Sequence, residues 1–199
     1  MKIITTLLIA LFLLSGCTTT TAPMSEYRLF IQKNEMAFDA KECKDKSIKV
    51  ALSFGANSLM AQKMKYAKDE FGEFAFSESQ WAQSPNQTIT QEILESVRET
   101  KLFKTVQNYK SRSLSEYILE SNIEEFMQHF DAKGKNSYAM VRISFALVDA
   151  KSSRTLKTVT LSQKVEVKEL NAKGGVAALS TALTQILQES DLWLSEACK

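Results

Sequence analysis

The sequence predicts an α+β domain, and three observations carry that expectation. Val141, Ile143, Phe145 and Leu147 alternate with polar or small residues, and after a polar stretch at 149–154 the alternation resumes at Val159, Leu161, Val165 and Val167. A period of two on both sides of a turn is the pattern of a hairpin with one buried face. Ser84-Pro85-Asn86-Gln87 opens a helix with Ser at the N-cap, Pro in the first turn and Gln three residues on, the elements of a capping box. Its Ile89, Ile93, Leu94 and Val97 share one face, and so do Val176, Leu179, Leu183, Ile186 and Leu187 of a second helix after Gly174-Gly175.

The other elements follow in chain order. Tyr27 to Gln32 (YRLFIQ) reads as a short strand, and 34–46 as a charged connection. Ile48, Val50 and Leu52 alternate and give a strand that ends at 55–58. Two strands, 63–69 and 71–76, flank a turn at 69–72, with Phe74 and Phe76 on one face. The first helix ends near Lys101, and Leu102, Phe103 and Val106 lead into a strand. The first strand of the hairpin runs from Tyr138 to Ala150. One segment is open to two readings. Leu119, Ile123, Phe126 and Phe130 recur at spacings of four, three and four, which is a helical period. The same residues fit a strand over 115–130 whose register is shifted by a bulge near Phe126.

The N-terminus carries a separate message. Lys2 precedes an apolar run from Ile3 to Leu14, broken only by Thr5 and Thr6. A charged start, a short apolar core and small residues before a cleavage point describe a secretory signal peptide. The run falls short of the about 20 residues that span a bilayer. Leu14-Ser15-Gly16-Cys17 resembles the bacterial lipobox, which implies that Cys17 is acylated, palmitate being one such chain, and becomes the mature N-terminus. Each buried acyl CH₂ contributes roughly 0.8 kcal/mol of anchoring. The division expected is 1–16 signal peptide, 17–26 lipidated tether and 27–199 a single domain. Thr18, where Asp would signal inner-membrane retention in the common sorting rule, points to the periplasmic face of the outer membrane.

Composition narrows the function. Twenty-five Lys and Arg stand against 23 Asp and Glu, without a basic block, so nucleic acid is not an expected partner. Cys43 and Cys198 remain once Cys17 is taken by lipid. In an oxidising compartment such a pair is expected as a disulfide rather than a metal site. The only histidine, His129, lacks converging partners in the sequence. No HExxH, GxSxG or P-loop is present, so no catalytic residue, no metal and no cofactor is expected, and the chain reads as a non-enzyme. Trp81 lies between polar residues before the helix cap. It is either a partner-binding aromatic or a lid over the first helical turn.

The order of these pieces carries a resemblance. A lipobox precedes YRLFIQ, a strand at 48–52, and an aromatic hairpin ending in Gln80-Trp81-Ala82-Gln83-Ser84-Pro85. Then come ITQEILESVRETKLFKTV (89–106), Leu119 to Phe126, the hairpin and an Ala-rich helix ending in Trp193-Leu194. The chain resembles the ABC-type transport auxiliary lipoprotein family (PqiC-like). It departs from the family in having only Tyr66, and no Pro, between 57 and 67. The resemblance implies a fold like the N-terminal domain of TolB, a mixed sheet with two main helices packed on one face, and makes 115–130 a bulged strand. It also implies an accessory role beside a periplasmic Mce-domain protein, in an ABC system moving lipid between inner and outer membranes. The alternative is a regulatory lipoprotein of the same fold that activates a cell-wall synthase or supports outer-membrane assembly.

Overall fold

The computed structural model describes residues 23–32, 38 and 42–198. Cys17 and the leader lie outside the described residues, as does most of 34–46. Nine strands form one sheet: β1 Ser25–Tyr27, β2 Ser47–Val50, β3 Phe54–Gly55, β4 Lys63–Lys68, β5 Gly72–Trp81, β6 Thr105–Asn108, β7 Tyr117–Phe130, β8 Ser137–Asp149 and β9 Arg154–Glu166. Two long helices, α1 Pro85–Thr100 and α2 Ala172–Ala197, complete the α+β architecture.

Strand β7 organises the sheet. One of its edges pairs antiparallel with β8 along the whole length, and β9 continues the meander. Its other edge takes three short parallel partners in turn: β2 at 117–119, β3 at 122–123 and β4 at 128–130. The sheet is therefore mixed. Beyond β2 lies β6, and beyond β4 lie β5 and β1.

The ambiguous segment is thus a strand, and its bulge explains the helical period. The register of β7 against β8 shifts between Ile123 and Glu125. Leu119, Ser121 and Ile123 face the core before the shift, Phe126 and Gln128 after it. Spacings of four are two strand repeats each, and the spacing of three is one repeat plus the inserted residue.

The core lies between one sheet face and the two helices. Ile48, Leu119, Ile143 and Phe145 from the sheet meet Ile89 and Ile93 of α1 and Leu183 and Ile186 of α2, all at most 2% exposed. Each such side chain contributes about 1.5–3 kcal/mol of burial. α1 ends as expected: Lys101 adopts the left-handed conformation (φ 55°) and its amide donates to the Arg98 carbonyl.

Several expectations need correction. Tyr27–Gln32 is not one strand, because pairing covers only 25–27 and the chain then leaves the sheet. β1 also begins inside the stretch assigned to the tether. The strand around Ile48 stops at Val50, and Leu52 is exposed. Ser84 occupies the N-cap position, but its side chain makes no capping bond. Its carbonyl accepts the Gln87 amide at 3.1 Å and the Thr88 amide at 3.2 Å instead. Gly174 and Gly175 do not precede α2. Asn171 caps the helix by accepting the Gly174 amide at 2.9 Å, so both glycines sit in its first turn. A Cβ on Gly174 would collide with the Glu169 backbone, and one on Gly175 with the Gln128 side chain. The helix end approaches the sheet too closely for any side chain there.

Candidate anchoring and docking site

One side of the helical layer is built by the segment that follows β1. From Arg28 to Gln32 the chain crosses the helical layer, with Leu29 and Ile31 packed on the core. Two hydroxyls of α2 replace a strand partner. Ser180 Oγ accepts the Phe30 amide at 3.1 Å, and Thr184 Oγ1 accepts the Gln32 amide at 3.2 Å. Each hydroxyl also donates back to a carbonyl of its own helix, Val176 and Ser180 respectively. The spacing of four puts both on one face of α2. Tyr27, Phe30 and these hydroxyls line an open groove of about 620 Å³.

Farther along the same layer, Asp191 lies between α1 and α2 and is 6% exposed. Ser96 Oγ donates to its Oδ2 at 2.6 Å, while Oδ1 has no partner. Burial pushes its carboxyl up to about 6, against the lowering effect of the Ser96 bond, and Glu99 adds to the rise. Glu92 and Glu95 line the same cleft.

At the C-terminal end of α2, Cys43 and Cys198 are joined, with Cα atoms 5.2 Å apart and both side chains buried. The bond ties the C-cap of α2 to the turn that enters β2. The Glu42 amide donates to the Cys198 carbonyl at 3.3 Å, so backbone pairing supports the same junction.

Trp81 is not an exposed anchor. It is 6% exposed, and its ring lies 5.8 Å from that of Phe126 beneath the entry to α1. The side chain at the last position of β5 points inward because the strand delivers it to the core face. His129 sits on the other face of the sheet. Its Nε2 is 2.7 Å from Glu125 Oε1, its ring stacks on Tyr138 at 4.8 Å, and Lys164 Nζ caps Tyr138 at 3.9 Å. Glu125 and His129 both follow the bulge and, two regular strand repeats apart, lie side by side on the solvent side. Among the described residues no three His, Cys, Asp or Glu side chains converge as metal ligands, and no helix is long and apolar enough to cross a membrane.

Sequence reasoning missed Ser180, Thr184 and Asp191. The i, i+4 pair of hydroxyls on an apolar helix face was a visible signal. Its partner, some 150 residues earlier, was not.

A mixed sheet with both helices on one face, and an N-terminal segment strapped over them, defines the α+β class of this domain. The chain belongs to the family of ABC-type transport auxiliary lipoprotein components, whose model matches residues 66–189. Solved structures agree on the fold. A Xanthomonas campestris protein of the DUF330 family model aligns with TM-score 0.67 at 15% identity, covering 87% of this chain and 93% of that one. A protein described only as uncharacterized aligns with TM-score 0.66 at 11% identity, covering 86% and 99%. A hypothetical protein from Chlamydia trachomatis aligns with TM-score 0.50 at 7% identity, covering 76% and 96%. No curated protein matches the chain. The family is one of transport auxiliary lipoproteins, not a class of enzymes.

Proposed function

We propose that this chain is an outer-membrane-anchored periplasmic lipoprotein, the accessory subunit of an Mce-type ABC system that moves lipid between the inner and outer membranes. The observation that carries the reading is the family match over 66–189 joined to Leu14-Ser15-Gly16-Cys17 at the N-terminus. In this reading residues 1–16 are removed, Cys17 is acylated, and Thr18 directs the protein to the outer membrane. The domain binds a periplasmic Mce-domain protein and performs no chemistry of its own. Crosslinking in cells, followed by mass spectrometry, is the test. Capture of an Mce-domain protein from the outer-membrane fraction is expected, with an acylated peptide beginning at Cys17. Capture of cell-wall synthases alone would instead favour the regulatory role.

A further inference from the structure

Two phenylalanines stand uncovered at the tip of the β4–β5 hairpin. Phe71, in the turn, is 94% exposed and Phe74 is 47% exposed. Single exposed apolar residues are ordinary, but this pair sits on an aromatic base. Tyr66 lies 4.6 Å from Phe76, 5.6 Å from Phe74 and 5.4 Å from Phe130, ring centre to ring centre. The turn itself is fixed: Asp69, at φ 59°, accepts the amides of Phe71 and Gly72 at 3.0 Å each.

The described chain before β1, Pro23 and Met24, lies on the side of this tip. β1 is parallel to β5, with Ser25 beside Ser79, so residues before Ser25 head back along β5 toward Gly72. Met24 lines an open groove together with Ala75, Phe76 and Ser77. The eight residue steps from Cys17 to Ser25 reach at most about 28 Å. From that level the hairpin descends by the length of β4, Lys63 to Lys68, about 17 Å. Extended in that direction, the tether would carry a lipid on Cys17 at most about 10 Å beyond the turn, which lets the turn reach the bilayer surface. Lys68 at the end of β4, with Lys133 and Lys135 in the adjacent β7–β8 turn, supplies cations at the same end. Asp69, Glu70 and Glu73 balance them, so apolar insertion rather than charge drives the contact. Aromatic side chains favour the interfacial zone of a bilayer.

We infer that the β4–β5 turn is a membrane-contact element, with Phe71 and Phe74 seated in the phospholipid leaflet that holds the acyl chains of Cys17. The inference rests on the acylation of Cys17 and adds an orientation: the hairpin tip and the β7–β8 turn face the membrane, and the β8–β9 turn faces away. Full-length protein extracted from membranes and reconstituted into phosphatidylethanolamine–phosphatidylglycerol vesicles with brominated acyl chains tests it. Phe71→Trp adds one indole at the tip, and Leu114→Trp adds one in the loop before β7 at the opposite end. Emission above the wild-type baseline is expected to be quenched severalfold for F71W and unchanged for L114W. F71W emission that stays unquenched while the protein floats with the vesicles overturns the proposal, as does quenching of L114W in its place. An extracted protein without acyl groups defeats the anchor reading separately. The same two variants, coupled through the Cys17 thiol to a maleimide lipid, then decide the orientation by the same readout.

Discussion

Replacing Asp191 by Asn isolates an electrostatic cost inside the helical layer. Desolvation raises the carboxyl from 3.8 to about 6, and Glu99 reinforces it, while the Ser96 bond opposes it. Between those two values the unfolded chain has released a proton that the folded chain still holds. Stability therefore falls as pH rises through this window and stays lower above it. The gap corresponds to at most about 3 kcal/mol at neutral pH. The amide of Asn keeps an acceptor for Ser96 and removes the charge. Glu116, Asp131 and Asp149 are held below their ordinary values by hydrogen bonds, led by the Ser47 hydroxyl, the Lys135 amide and the Ser152 amide. Their contribution has the opposite sign, being lost as pH falls, but it is common to both proteins and cancels in the difference. Urea unfolding at pH 4 and pH 7.5 is the assay. Wild type and D191N should coincide near pH 4, and the variant should be more stable by about 1–3 kcal/mol at pH 7.5. A difference independent of pH would falsify the argument, since a packing effect does not titrate.

Three further outcomes are expected. Cys43→Ser with Cys198→Ser opens a loop of 155 residues and should cost up to about 5 kcal/mol in the chain-entropy picture; non-reducing peptide mapping of wild type must first yield the linked pair, and two freely alkylated thiols would remove the basis. Lys101→Gly relieves a left-handed residue at the end of α1 and should stabilise by about 0.5–1 kcal/mol in thermal unfolding. Gly175→Ala forces a methyl against the Gln128 side chain and should destabilise by about 1–3 kcal/mol, whereas Gly134→Ala, in open space but at φ 67°, should cost about 1 kcal/mol.

How much of this was legible depends on how local each cause is. α1 and the β8–β9 hairpin were plain because their signals are short-range: Pro85 at the helix start, a strict alternation from Val141 to Leu147. In β7 the pattern was present but encoded twice. A bulge in a strand and a turn of helix both yield spacings of four, three and four, and only the neighbouring strands separate them. The strap at 28–32 looked like a strand because Leu29 and Ile31 do alternate. The hydroxyls that hold it come from Ser180 and Thr184, and no local rule reaches that far. Ser84 shows the converse failure, a correct position with a different donor–acceptor pairing. For Trp81 the polar neighbours suggested exposure, yet β5 turns the ring inward. Cys43 and Cys198 were paired from redox reasoning alone, and in the structure they are joined across the fold.

The position of β7 in the chain has a consequence for how the protein comes to be folded. Every parallel strand on its far edge, β2, β3 and β4, precedes it in sequence, while its antiparallel neighbour follows after a short turn. A chain emerging N-terminus first can close the β4–β5 hairpin and pair β2 with β6, but these pieces are joined into one sheet only when residues 117–130 arrive. The C-terminal meander and α2 then assemble through near neighbours, and the earlier strands dock onto a finished edge. Pulse-labelling hydrogen exchange should protect amides of β8 and β9 before those of β2, whose partners are distant in sequence; the reverse order would contradict this. Such an arrangement delays the native state until most of the chain is available, and so keeps the polypeptide threadable for as long as its length allows.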